Sequence, residues 1–148
     1  MASPSLVQVA VGMIHRPKDG AVLLASRPPG KVYAGWWEFS GGKLEPQETI
    51  GEALRRELQE ELGIRVQEAS PAWETEHRYD HAHVRLHFWW VRHWLGVPAP
   101  QEGQQLCWVR PSGPFPYPLL PATIPALAQL ALRNHTRPVQ TATGLLPP

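Results

Sequence analysis

Residues 42–64 read GKLEPQETIGEALRRELQEELGI, and the rest of the chain is organised around them. The stretch holds six acidic residues, three of which, Glu57, Glu60 and Glu61, fall within five positions. Its front end is turn-like (Gly41, Gly42, then Pro46), whereas from Glu48 onward the residues are good helix formers up to Gly63. Thr49 or Glu48 begins the helix on this reading. Glu52, three residues past Thr49, suits a capping box, and Gly63 suits the C-terminal cap. At about 100° per residue, Ile50, Leu54, Leu58 and Leu62 form one apolar stripe.

Glu57, Glu60 and Glu61 stand at i, i+3 and i+4, so they share a face beside that stripe. Like charges at this spacing destabilise a helix by ~0.2–0.5 kcal/mol per pair. On an ordinary Glu-rich helix such residues are solvated, with Arg55 and Arg56 partly neutralising them. A divalent cation is the alternative that turns the repulsion into binding. An all-oxygen ligand set on a rigid helix suits the hard ions Mg²⁺ or Mn²⁺ over zinc.

The spacing is more informative than the composition. Gly42, five residues, Glu48, seven residues, Arg56-Glu57-Leu58, one residue, Glu60-Glu61, one residue and Gly63-Ile64 resembles the complete Nudix box without a mismatch. The preceding Trp37-Glu38-Phe39-Ser40-Gly41-Gly42-Lys43 resembles the Glu-Phe-Pro-Gly-Gly-Lys lead-in of MutT-type Nudix hydrolases. Ser40 replaces the usual proline, which relaxes φ and is expected to alter loop stiffness more than chemistry. Further landmarks of the resemblance are residues 10–14, Arg27, Trp94-Leu95-Gly96, Glu102-Gly103-Gln104, Trp108 and Pro121-Ala122.

The resemblance implies an α+β Nudix fold, a mixed β-sheet sandwiched between helices. It implies Mg²⁺-dependent hydrolysis of a nucleoside triphosphate to the monophosphate and pyrophosphate, with 8-oxo-dGTP as the expected substrate. Glu57, Glu60 and Glu61 are then metal ligands, joined by Glu102 from its loop and by the backbone carbonyl of Gly41 or Gly42. Glu57 or Glu102 takes the proton from water, and Arg56 orients the carboxylates through a charge-assisted bond. Arg27, Glu38, Lys43 and Thr123 are the expected substrate contacts. A buried Glu38 needs a partner such as a ligand hydroxyl or amine.

One departure bears on specificity. MutT-type proteins commonly carry Pro-Ala-Asn at the start of the last helix, where the asparagine reads the edge of the oxidised guanine; here the residues are Pro121-Ala122-Thr123. An amide offers donors and an acceptor in a fork, a hydroxyl one of each at a single atom. Another nucleotide, such as a pyrimidine triphosphate, therefore stands as the alternative substrate. A Nudix module that binds nucleotides without turnover is expected to lack a metal carboxylate, and none is missing.

Composition narrows the remaining classes. A chain of 148 residues is long enough for one domain with a real core, assigned to residues 1–135, with 136–148 expected to be a disordered tail. A formal net charge of +1 provides no basic field for a nucleic-acid polymer. The single cysteine, Cys107, excludes an intramolecular disulfide and a cysteine-rich zinc site. Residues 1–15 lack a basic n-region and a long apolar run, so no signal peptide is expected, and no segment has the ~20 apolar residues of a membrane helix. A cytoplasmic monomer is expected.

Along the chain, residues 6–14 alternate as a strand, 16–20 form a turn, and Ala21–Ser26 returns as a second strand of a hairpin. Strands are also expected over 66–79 with a break at Pro71, over 84–94, and over 106–109, with proline-rich connection 111–121 leading to a helix over 122–133. In that helix Ile124, Leu127, Ala128, Leu130, Ala131 and Leu132 are available for packing. His81, His83 and His87 would point the same way from a strand. Two histidines at i,i+2 can bind zinc, but no third-ligand motif supports such a site here.

Overall fold

The computed structural model of the protein describes residues 6–80 and 82–136. In chain order the elements are β1 (Leu6–Arg16), β2 (Ala21–Ser26), β3 (Trp37–Glu38), β4 (Ser40–Lys43), α1 (Ile50–Leu62), β5 (Arg65–Arg78), β6 (His83–Leu95), β7 (Leu106–Val109) and α2 (Thr123–Thr136).

β1 is the strand on which the others converge. One of its edges pairs in parallel with β6, from Leu6↔His83 to Ile14↔Val91. Its other edge is shared: Val9 to Gly12 pair antiparallel with β4, and His15 and Arg16 pair with β2 across the expected hairpin. β2 continues outward to β3 and β7, and β5 closes the far edge on β6. The sheet is thus mixed, as expected.

Side-chain alternation along β1 and β2 creates two cores. Ala10, Ile14 and Leu23 face Ala53, Leu54, Leu58 and Leu62 of α1. Val11, Met13, Val22 and Leu24 face the opposite way, toward Ala126, Leu127 and Leu130 of α2. The sheet is therefore held between one helix on each face. α1 approaches β1 closely because Gly12 has no side chain; a Cβ there would lie 3.0 Å from Leu58.

The helix termini follow the local chemistry. Thr49 accepts from the Glu52 amide, the Glu52 carboxylate accepts from the Thr49 amide, and Gly63 caps the C-terminus at φ 70°. The left-handed region suits glycine because no Cβ clashes there.

Three expectations need correction. Gly41 and Gly42 are not a turn but lie in β4, paired with Val11 and Ala10. Glycine is required at Gly41, where a Cβ would stand 2.0 Å from the Ala10 carbonyl oxygen. Pro71 does not break β5; it pairs with Trp89 beside a register shift, which an edge strand tolerates because an outward-facing amide is dispensable. In α2, Leu127 and Leu130 are buried but Ile124 and Leu132 are 53% and 62% exposed, since only one stripe can reach the sheet. That helix extends to Thr136, and the remainder of the expected tail, 137–148, lies outside the described residues.

Leu58→Ala removes a fully buried side chain from the α1 core and should lower unfolding free energy by about 2–5 kcal/mol in urea titration. Ile124→Ala, at an exposed site, should stay within about 0.5 kcal/mol of wild type.

Candidate active site

The centre of the site is Arg56, the residue before Glu57 and one turn before Glu60. Its Nε and Nη2 donate to Glu48 Oε2 and Oε1 at 2.7 and 2.9 Å. Nη2 also donates to the Lys43 carbonyl at 3.0 Å, and Nη1 donates to Glu57 Oε2 at 2.9 Å and Glu60 Oε1 at 3.4 Å. A planar fork with five N–H groups can bridge loop, strand and helix in this way; an ammonium cannot. Hydrogen bonds from Arg56 first, and then one from the Glu45 amide, hold Glu48 well below the usual carboxylate range, at about 2. Glu48 was not assigned a role from sequence. Its eight-residue separation from Arg56 puts it off the helix face, so periodicity offers no signal for this pair.

Glu57 lies against β4. A Cβ on Gly42 would stand 2.4 Å from the Glu57 carboxyl carbon, so this carboxylate occupies the space a side chain would fill. Glu61 is within hydrogen-bonding reach of Glu57. Its pKa is pushed up to about 9, chiefly by burial, then by Glu57, with Glu102 and Glu38 adding to the negative field. Two adjoining carboxylates, one of them shielded from water, are unfavourable unless protonated or bridged by a cation.

Glu60 departs from this pair. It turns to Arg56 and its side chain is 55% exposed. Among the described residues no three acidic, histidine or cysteine side chains stand as a ready-made ligand shell. Glu57 and Glu61 adjoin each other, Glu102 adds to the field at Glu61, and Glu60 and Glu102 are exposed. The donors are all carboxylate oxygens, so the set fits a hard divalent cation.

Glu102 is positioned by its loop. Its amide donates to Gln104 Oε1 at 2.8 Å, and buried Gln104 donates from Nε2 to the Glu61 carbonyl at 2.9 Å. The Gln101 amide reaches the same carbonyl at 3.1 Å, and the Ala99 amide reaches the Leu62 carbonyl at 3.0 Å. The loop thus takes up carbonyls that the helix end leaves unpaired. Gln104 is a positioning residue that sequence reasoning did not isolate.

The remaining expected contacts form a second group. Arg27 Nη1 donates to Glu38 Oε2 at 3.0 Å, so the partner of Glu38 is Arg27 itself. The Glu38 pKa is raised because surrounding protein disfavours its charge, and Arg27 partly offsets this. Arg27 also organises loop 28–36: its Nε donates to the Val32 carbonyl and its amide to the Trp36 carbonyl. Tyr33 of that loop sits at φ 61°, a conformation costly for a side chain with a Cβ. Its ring lies 5.1 Å from Trp36 and 6.0 Å from Tyr79. The Tyr79 hydroxyl accepts from the Ala122 amide at 3.4 Å, next to Thr123, which is 4% exposed at the start of α2. Lys43 is exposed on the β4 edge, away from the Arg27–Glu38 pair along the chain.

The histidines have other engagements. His83 contacts Glu76 at 3.0 Å, and His87 contacts Gln8 at 2.6 Å and Glu74 at 3.4 Å. His81 lies outside the described residues.

The description NUDIX domain matches residues 10–129. The chain is 41% identical over 133 residues to CTP pyrophosphohydrolase of Escherichia coli, covering 90% of this chain and 97% of that protein. It is 37% identical over 124 residues to 8-oxo-dGTP diphosphatase of the same organism, covering 84% and 95%. The solution structure of the E. coli ORF135 protein superposes with a TM-score of 0.78 at 38% identity, covering 93% of this chain and 97% of that one.

Because the Glu61 pKa rises from 4.5 to about 9 on folding, the native metal-free protein retains a proton that the unfolded chain has lost. Its stability should therefore fall as pH rises through that window. Thermal melts in a chelator should show this slope in wild type and a flatter one in Glu61→Gln; parallel curves would dismiss Glu61 as the responsible group.

Proposed function

The chain belongs to the NUDIX family of hydrolases, and on that premise we propose that it is a nucleoside triphosphate pyrophosphohydrolase dependent on Mg²⁺ or Mn²⁺. The observation that carries this reading is the Glu57–Glu61 pair, whose mutual repulsion a divalent cation relieves. Glu57, Glu60 and Glu61 would hold the ion, with the Gly41 carbonyl completing the set. When bound, such an ion neutralises polyphosphate charge and lowers the pKa of a water.

The chain's own residues supply the rest. Arg56 fixes Glu57 against Gly42 and keeps it from rotating away. That commitment makes Glu57 a ligand and leaves Glu102, exposed on its tethered loop, as the group that takes the proton from the attacking water. Attack on phosphorus releases nucleoside monophosphate and pyrophosphate. Lys43 meets phosphate charge from the β4 edge.

Arg27, Glu38, Tyr33, Tyr79 and Thr123 face the nucleoside. Thr123 offers a hydroxyl in place of a forked amide, and together with the 41% identity to a CTP pyrophosphohydrolase this favours a pyrimidine triphosphate. Hydrolysis of 8-oxo-dGTP, in sanitation of the nucleotide pool, is the second reading, favoured by the 37% identity to an 8-oxo-dGTP diphosphatase.

Pyrophosphate release from CTP, dCTP, dGTP and 8-oxo-dGTP at low substrate concentration separates the two. The pyrimidine reading expects the highest kcat/KM on a cytidine nucleotide. A large excess on 8-oxo-dGTP would replace it with the sanitation reading. Glu57→Gln should reduce kcat at least ~100-fold on every nucleotide with the fold intact by circular dichroism, since charge changes but volume scarcely does. Thr123→Asn should shift the 8-oxo-dGTP to CTP ratio upward by about tenfold, equivalent to ~1.4 kcal/mol of added base recognition. An unchanged ratio would remove Thr123 from the nucleoside contacts.

A further inference from the structure

Ser40 is 3% exposed, and its Oγ is buried without a hydrogen-bond partner. A hydroxyl in that condition is unfavourable, and a strand position flanked by Phe39 and Gly41 has no evident need of one.

The strand register states which way the hydroxyl faces. Ser40 pairs with Gly12 and Gly42 with Ala10, and directly paired residues project from the same face of a sheet. That face is the α1 side: a Cβ on Gly12 would meet Leu54 and Leu58, and one on Gly42 would meet the Glu57 carboxylate. The intervening residues point the other way, with Trp37 and Phe39 in the α2 core. Glu38, Ser40 and Gly42 therefore form a row facing the helix. Gly42 adjoins Glu57, and Glu38 acts electrostatically on Glu61. Ser40 stands between Glu38 and Gly42 in that row, on the side that faces α1.

We infer that Ser40 is a positioning residue whose hydroxyl donates to the Glu61 carboxylate and holds it in the orientation that receives the cation. Glu61 has Glu57 as its carboxylate neighbour, and the Ser40 hydroxyl is left without an acceptor. With a cation held by Glu57 and Glu61, a lone pair of Glu61 not used by the ion would be free to accept from the Ser40 hydroxyl. The inference rests on the proposed metal site and adds a residue that supports its ligand from β4.

Mn²⁺ serves as the probe, titrated by electron paramagnetic resonance against wild type, Ser40→Ala and Ser40→Thr, with metal-free melting followed in parallel. Ser40→Ala should weaken Mn²⁺ binding about tenfold, the scale of a lost outer-shell hydrogen bond, without lowering the metal-free Tm. Ser40→Thr retains the hydroxyl and should restore affinity toward wild type, even where its added methyl lowers the Tm. Wild-type affinity in Ser40→Ala overturns the inference while leaving the metal site standing. An equal loss of affinity in both variants also overturns it, because packing rather than the hydroxyl would then be responsible. Failure of wild type itself to bind Mn²⁺ would instead remove the metal-dependent reading beneath it.

Discussion

The Arg56 guanidinium is the interaction on which the catalytic half of the molecule depends. It ties Glu48 at the helix entrance, the Lys43 carbonyl at the end of β4, and Glu57 and Glu60 on α1 into one hydrogen-bonded body. Each carboxylate alone would be repelled by its neighbours. A positive charge fixed among them allows acidic residues to remain close before any cation arrives. The arrangement also discriminates between the carboxylates: Glu60 is drawn outward, whereas Glu57 is pressed toward Gly42 and Glu61. Local charge balance, rather than the helical period alone, decides which members of the acidic face approach one another.

The helix and its caps were legible because their information is local. Thr49, Glu52, Gly63 and the apolar stripe each act within a few residues, and spacing reports such interactions directly. β3 and β4 were not legible. Their residues include glycines and a serine with weak strand preference, and they become strands because β1 and β2 present open edges beside them. The same limit applied to the site. Clustered Glu57, Glu60 and Glu61 announced themselves, but the Arg27–Glu38 pair and the Gln104 tether join residues whose proximity only the sheet and loop create. Ser40 reads as a loop substitution from its neighbours, yet its position in β4 turns it toward α1.

The mixed sheet divides the labour between its faces. α1 and the Glu38–Ser40–Gly42 row present carboxylates and a hydroxyl on one side. On the other, the start of α2 brings Thr123 and Ala122 beside Tyr79, and Tyr33 extends that aromatic group toward Trp36. Glu38 joins the two regions, bonded to Arg27 while contributing to the field at Glu61. Residues around Tyr79 and Thr123 can therefore vary without disturbing the hydrogen bonds that organise the acidic centre. Relatives named for different nucleotides, at 41% and 37% identity, accord with that separation.

The loop bearing Glu102 carries a mechanical consequence. Its hold on α1 consists of backbone and amide bonds to the Glu61 and Leu62 carbonyls, in a last turn that has no basic side chain of its own. Withdrawal of the loop would strip that turn of its acceptor contacts and promote fraying of the helix end where Glu61 resides. Glu102 and Glu61 are thus linked as hinge and latch: the loop cannot swing far without loosening the turn that carries Glu61, and a well-formed helix end keeps both carboxylates at their stations.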